Sequence, residues 1–481
     1  VPPEIPHSIE LEQQILGGLL SDNAAVRHLG DLPAAAFYDP VHAVLFERIL
    51  ARIAEGEAAN ATLLKFEVSS LEGLKELGGA AYLVKLELSA IAVSAMPEYI
   101  RELRRLYGRR AGIEALQVAL NRLATHDREM SPEDALTLAE GDIAIALQAV
   151  QDKPLARPWL ASSHLAMQGM IDAREGGRAV GLSTGIDQLD GLISALGAGE
   201  SIVLAGRPSM GKTAVALNIA LKAATRGDGV FFASLEMGGD QLAMRAFSQM
   251  VAERGRKATY FDMRRGVLDG EDWDATLDAA RSVAELPIFT CDPSCRSLTR
   301  LRAALSASER QLRAQGNALK LIVVDYLQLI EPTGRYRQGD TNGKVTASSQ
   351  AMKAMAMHYG VPVLVLSQLN RMVEERDPPL PRMSDLRDSG SIEQDADLVL
   401  FCYRPEYYTQ KRIDAHKAAG KSVSEMADLE AAIAVQRNRM TLICAKNRGG
   451  ATGSVSVYCD IASNVVGAKP ETQTSFEGEF L

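Results

Sequence analysis

The residues best suited to chemistry lie in one octapeptide, Gly206-Arg207-Pro208-Ser209-Met210-Gly211-Lys212-Thr213. It follows the apolar run 201–205, which reads as a buried strand, and precedes 214–220, which reads as a helix. G-x-x-x-x-G-K-T between a strand and a helix is the setting of a phosphate-binding loop. Glycines let the backbone wrap a polyphosphate, and the first N–H groups of the helix point at the anion with the helix dipole behind them. Ser209, Met210, Gly211, Lys212, Thr213 and Ala214 are therefore candidate ATP contacts. Lys212 would reach the β- and γ-phosphates, and the Thr213 hydroxyl would hold Mg²⁺.

Further candidates stand where apolar runs end. Residues 229–235 lead to Glu236, a carboxylate that could polarise the attacking water or could be an ordinary acid at a helix start. The run 319–325 ends in Asp325, suited to the Mg²⁺ shell beside Thr213. The run 361–367 is followed by Gln368, an amide able to sense a γ-phosphate. Residues 440–446 run into the turn Lys446-Asn447-Arg448-Gly449-Gly450, with 454–459 as a hairpin return. Its two cations suit either a neighbouring subunit's phosphate or plain solvation. Two loops come after the Asp325 and Gln368 strands, over 331–344 and 371–394. The second carries Arg371 and Arg387-Asp388-Ser389-Gly390, whose backbone N–H groups and arginines could hold a phosphodiester chain. Few aromatics accompany them, so the contact expected is to phosphate and salt-sensitive, not base stacking.

These residues need a scaffold, and the hydropathy pattern supplies one. From about 180 to 468 strands alternate with helices, over 201–205, 229–235, 287–290, 319–325, 361–367, 397–403, 440–446 and 454–459. That predicts an α/β domain with a mostly parallel sheet, whose ligands sit beyond the carboxyl ends of the strands. Residues 7 to about 150 read as helical, with Ser8 as a cap, an apolar face through Leu11, Ile15 and Leu19, and a later start at Ser131-Pro132-Glu133-Asp134. The arginines Arg101, Arg104, Arg105, Arg109 and Arg110 suit a solvated helix face or subunit contact better than nucleic acid. Two prolines over 151–162 mark a linker, and 164–175 form a short amphipathic helix needing something to dock on. The expected organisation is 1–150 helical, 151–180 linker with docking helix, and 181–481 ATPase.

A chain of 481 residues with 47% hydrophobic content predicts two or three globular domains. Five scattered cysteines suit a reducing compartment and give no metal framework. The formal charge of −9 opposes a generally basic coat while allowing a locally basic channel. With neither a leader nor a membrane-length apolar run in view, the expectation is a cytoplasmic protein without a membrane partner.

Together the phosphate loop, Ser234-Leu235-Glu236-Met237, Asp325-Tyr326-Leu327-Gln328-Leu329, Ser367-Gln368-Leu369 and Ser384-Asp385-Leu386-Arg387-Asp388-Ser389-Gly390-Ser391-Ile392-Glu393-Gln394-Asp395-Ala396-Asp397 resemble the bacterial replicative DNA helicase family DnaB. Ser8–Gln13, Leu16–Leu20, Phe37-Tyr38-Asp39-Pro40 with His42, and Gly78–Leu83 extend the resemblance over roughly residues 5 to 460. It implies a RecA-like motor in a ring-shaped homohexamer, a helical collar that dimerises and meets primase, and a helicase loader as a further partner. It implies that Glu236 activates water, that Gln368 meets the γ-phosphate, that Arg245 approaches nucleotide, and that Lys446 and Arg448 reach the neighbour's site. It implies that 387–390 grip single-stranded DNA at a replication fork and that helix 164–175 packs on the adjacent subunit. The sequence departs from the family at Lys344–Lys353, less acidic than usual, and over 406–438, where extra charged helical sequence suits a divergent chromosomal, phage or plasmid version. The alternatives are a RecA-like filament recombinase and a non-catalytic nucleotide-holding scaffold for primase.

Overall fold

The computed structural model describes residues 5–30, 32–68, 72–124, 139, 143, 159–176, 180–332, 341–386, 389–418 and 423–469. The chain divides into two compact units, Val1–Leu165 and Ala166–Leu481. No single helix among the described residues is long and apolar enough to cross a membrane.

The first unit is helical. Ser8 caps the helix Ile9–Ser21 by accepting from the Leu11 N–H at 3.3 Å, and Asp39 caps Pro40–Ala54, where proline occupies the first turn. Their apolar faces meet Ala80–Leu88 and Met96–Ala124 in a core of Ile15, Leu19, Leu45, Phe46, Leu83 and Leu103. Gly17 permits the closest approach, since a Cβ there would lie 2.0 Å from the Leu86 carbonyl oxygen. Inside this core sits a polar chain. His42 Nδ1 lies 2.7 Å from Glu12 Oε2, His42 Nε2 lies 2.7 Å from Tyr82 Oη, and Gln13 donates to Tyr82 Oη at 2.9 Å. The same Glu12 carboxylate accepts from the Tyr38 and Asp39 N–H groups, which fixes the entry to the second helix. Two of the five arginines brace loops of their own unit: Arg104 donates to the Leu29 carbonyl at 3.0 Å, and Arg110 to those of Pro6 and Ala36. The expected start at Ser131 lies outside the described residues. Residues 159–162, expected in the linker, form the first turn of the helix Trp159–Gly176.

The second unit is built on a nine-stranded sheet in the order β3-β2-β4-β5-β1-β6-β7-β8-β9. The strands are β1 Ser201–Gly206, β2 Gly229–Ser234, β3 Ile288–Cys291, β4 Leu319–Asp325, β5 Val363–Gln368, β6 Leu398–Tyr403, β7 Arg439–Asn447, β8 Gly453–Asp460 and β9 Val465–Gly467. The first six run parallel, and β7, β8 and β9 turn antiparallel. Alternation along each central strand feeds two cores, as continuous apolar runs buried on both faces require. Ile202, Leu204, Val323 and Leu366 face the helix Lys212–Thr225, whereas Val203, Ala205, Val324 and Val365 face Leu298–Ala314 and Thr341–Tyr359. β9 is not foreshadowed by the hydropathy pattern, because three residues are too few to display a period. The extra segment forms two helices, Pro405–Ala418 and Val423–Gln436, joined by Thr409 Oγ1 donating to Gln436 Oε1 at 2.6 Å.

Removing one member of the buried polar chain strands its partners. Glu12→Ala should destabilise the first unit by about 3–5 kcal/mol, read by hydrogen exchange over residues 9–103. Unchanged protection would refute a structural role for the chain.

Candidate active site

The carboxyl ends of β1, β2, β4 and β5 lie side by side, with Gly206 opposite Gln368 and Ser234 opposite Asp325 in register. The segments leaving these strands are thereby gathered round one cavity of about 440 Å³, lined by Ser209, Gly211, Lys212, Thr213, Ala214, Glu236, Arg245, Asp325 and Gln368, among others. After β1 the chain makes its loop with Ser209 at φ 66° and Gly211 at φ 86°. At Gly211 a Cβ would also meet Ile461 Cδ1 at 2.6 Å, so a bare backbone is required there. The helix Lys212–Thr225 begins with no side chain capping its N–H groups, which leaves them to an anion.

Lys212 Nζ donates to the carbonyls of Gly206 at 2.9 Å and Arg207 at 3.2 Å. Burial lowers its pKa, opposed by the negative charges of Asp325 and Glu236. An arriving polyphosphate offers this ammonium a better counter-charge than two carbonyl dipoles. Thr213 Oγ1 donates to Asp325 Oδ2 at 2.7 Å. Asp325 is buried, and burial pushes its carboxyl up to about 6, against the Thr213 hydrogen bond. The donor set is a hydroxyl, a carboxylate and room for phosphate oxygens, which fits a hard cation completing its shell from substrate and water. Arg245 is set by Asn464, to which it donates at 3.1 Å, and by the Tyr260 ring 4.8 Å away. Gln328 donates to Ser367 Oγ at 3.0 Å and so ties the ends of β4 and β5 together.

Other predicted residues lie elsewhere. The Met210 side chain is buried in the core beneath the loop, so only its backbone can face a ligand. Lys446, Asn447, Arg448 and Gly449 are outside this cavity: β7 runs antiparallel to β6 and pairs Asn447 with Leu398, at the amino edge of the sheet. Arg371 is exposed after β5; Ser389 and Gly390 open the helix Ser389–Asp395, and Arg387 and Asp388 lie outside the described residues. Sequence reasoning missed Arg404, which lines the cavity and donates to the Ser209 carbonyl at 3.1 Å. Its position directly after β6 was the available signal. Ile461 carries none, being a side chain in the turn after β8 that reaches the loop only in the folded chain. Arg207 leaves the cavity to donate to Glu374 at 2.7 Å, where Lys411 of the extra segment also donates, at 2.9 Å.

A phosphate loop at the carboxyl edge of a parallel sheet, with an acid on the next strand end and a Thr–Asp pair, defines a P-loop ATPase. The DnaB-like helicase C terminal domain family matches residues 181–463, and the DnaB-like helicase N terminal domain family matches 4–105. Replicative DNA helicase DnaB of Geobacillus stearothermophilus is 33% identical, over 94% of this chain and 92% of its own length. That of Rickettsia conorii is 30% identical, over 96% and 92%. Among solved structures, "The Structure Of A DnaB-Like Replicative Helicase And Its Interactions With Primase" shares the fold with a TM-score of 0.61 at 23% identity, over 96% of this chain and 99% of that one. "ATPase Domain of G40P" matches with a TM-score of 0.52 at 27% identity, over 64% and 98%. The chain belongs to the DnaB family of replicative DNA helicases, and its activity is ATP-dependent DNA unwinding. The recombinase and scaffold alternatives are set aside.

Because the folded-state value of Asp325 lies above its ordinary 3.8, its ionisation costs the nucleotide-free fold stability progressively as pH rises from 3.8 to about 6, fully above that, and not at all at lower pH. Asp325→Asn should therefore raise the melting temperature more at pH 7.5 than at pH 5 while abolishing hydrolysis. An equal gain at both would contradict a buried, strained carboxylate.

Proposed function

We propose that the chain works as a homohexameric ring that moves along single-stranded DNA, each ATP site being completed by the next subunit. The observation that carries this is the separation of the cations. Lys212 stands at the carboxyl end of β1, whereas Arg448 lies beside Asp397, whose N–H donates to Ser201 at the amino end of the same strand. Five strand residues at the usual rise separate the edges by about 17 Å. Arg448 therefore cannot serve its own chain's nucleotide, yet its guanidinium is half exposed and points from a fixed turn.

In this reading Ser209–Ala214 hold the polyphosphate and Glu236 orients the water and takes its proton. Gln368 meets the γ-phosphate, and Arg245 and Arg404 border the nucleotide. Thr213 and Asp325 hold Mg²⁺, which when bound neutralises phosphate charge. Lys446 and Arg448, with the Asn447–Gly449 turn shaping them, meet the neighbour's γ-phosphate as charge builds there.

Residues 387–390 and Arg371 take the DNA backbone. In support, the helices with which the two loop segments end, Thr341–Tyr359 starting within 331–344 and Ser389–Asp395 closing 371–394, share one face of the sheet and are joined by Thr346 Oγ1 donating to Ser391 Oγ at 3.0 Å. The division into a helical collar (1–150), a linker with docking helix (151–180) and a motor (181–481) belongs to the same proposal. The helix Trp159–Gly176 exposes Met167, Met170 and Ile171, an apolar face suited to an adjacent subunit. The collar is the surface for primase, the protein with which the DnaB-like structural neighbour interacts; the helicase loader belongs to the proposal as a further partner.

Lys212→Ala should abolish both hydrolysis and unwinding. Arg448→Ala should lower hydrolysis by about 10³-fold or more. Mixing those two inactive proteins should restore turnover, because some sites then combine an intact Lys212 with an intact Arg448. A mixture as inactive as its parts would refute completion in trans.

A further inference from the structure

Arg448 stands in a joint of its own. Its Nη1 donates to Asp397 Oδ1 at 3.1 Å, its Nη2 to the Gln394 carbonyl at 2.8 Å, and its backbone N–H to the Asp397 carbonyl at 2.9 Å. The other Asp397 oxygen accepts from the Ser201 N–H at 2.8 Å and from Lys353 Nζ at 2.7 Å. Lys353 also donates to the Gly199 carbonyl at 3.0 Å, and Lys446 Nζ donates to the Glu393 carbonyl. Asp397 is buried while Arg448 is half exposed, so one end of the pair is anchored and the other is presented to solvent. Burial alone would raise the Asp397 carboxyl, but hydrogen bonds from Lys353 and Ser201, with the charges of Lys353 and Arg448, hold it below its ordinary value.

The elements meeting at Asp397 are informative. Lys353 comes from the helix Thr341–Tyr359, which starts within the first loop segment. Gln394 and Glu393 come from Ser389–Asp395, which lies after the start of the second. Ser201 is the first residue of the strand that ends in the phosphate loop. One carboxylate thus touches the helix Thr341–Tyr359 through Lys353, the root of the chain's own ATP strand and the cation offered outward, and that cation in turn holds the helix Ser389–Asp395 through the Gln394 carbonyl. Buried polar networks satisfied on every side are rigid, and displacement of one member is felt by the rest.

We infer that Asp397 is a positioning residue that locks Arg448 to the two helices carrying the DNA loops, so that grip on the strand sets the aim of the arginine at the neighbour's phosphate. This rests on Arg448 acting in trans, as proposed above. Asp397 touches no nucleotide and acts only through Arg448. A misplacement of about 1 Å in a transition-state contact costs on the order of a hundredfold in rate.

The test uses the full-length protein with Asp397→Asn, which keeps size and an acceptor for the Ser201 N–H. Since Lys353 is then left without its counter-charge, a companion variant, Lys353→Met with Asp397→Asn, removes both charges and strands neither. Both should show kcat for ATP lower by about ten- to a hundredfold, with the equilibrium affinity for nucleotide unchanged, and a loss of stimulation by single-stranded DNA. Mixing either with Lys212→Ala subunits should restore turnover, because the neighbour then supplies a correctly held Arg448. Wild-type kcat in both variants, or a defect that mixing leaves in place, overturns the role of Asp397. The Arg448→Ala mixture separates the two claims. If it fails to recover, the reading of Arg448 falls; if it recovers while the Asp397 variants behave as wild type, only the positioning role falls.

Discussion

Strand direction is the constraint on which the active site depends. A parallel sheet delivers the residue after every strand to the same edge, so Lys212, Glu236, Asp325 and Gln368, separated by up to 156 positions, become neighbours without any long-range recognition among themselves. β7 breaks that rule. By running antiparallel to β6 it carries Lys446 and Arg448 to the far edge, where their own nucleotide is out of reach. In the proposed ring, this single reversal of direction is what divides one hydrolytic site between two copies of the chain.

The near half of the site is held ready at some cost. Lys212 is buried on carbonyls and Asp325 is buried with its carboxyl pushed up to about 6. Neither is comfortable without a ligand, and both gain when phosphate and a cation arrive. The far half is held differently, by a carboxylate saturated with donors from Ser201, Lys353 and Arg448. Binding energy is stored where the nucleotide enters, and geometry is fixed at the edge that, in the proposed ring, meets the neighbour.

Much of this was legible in the chain, because the signals were local. A run such as Leu319–Asp325 shows both its burial and its terminal acid in seven residues, and the strand ends then predict the cavity lining. The features that were not legible depended on pairing partners distant in sequence. Nothing near Arg448 reveals that β7 lies against β6 in reverse, although the sequence predicts a hairpin around that turn. Arg404 and Ile461 reach the loop from strands added on the far side of β1, and the Glu12–His42–Tyr82 chain joins three stretches that lie far apart in sequence. The arginines of the helix Met96–Ala124 looked like one charged face, and packing divided them into loop braces and solvated groups.

The central claim is that each ATP site is shared. It is tested most directly by the structure of the assembled protein with a non-hydrolysable ATP analogue, Mg²⁺ and single-stranded DNA, reading the distance from the γ-phosphate to the nearest guanidinium of another subunit. The account predicts Arg448 of the adjacent copy within hydrogen-bonding distance, about 3 Å, with Lys212 on the same phosphate from the nucleotide's own chain. A γ-phosphate enclosed entirely by its own chain, with Arg448 turned to solvent, would contradict it.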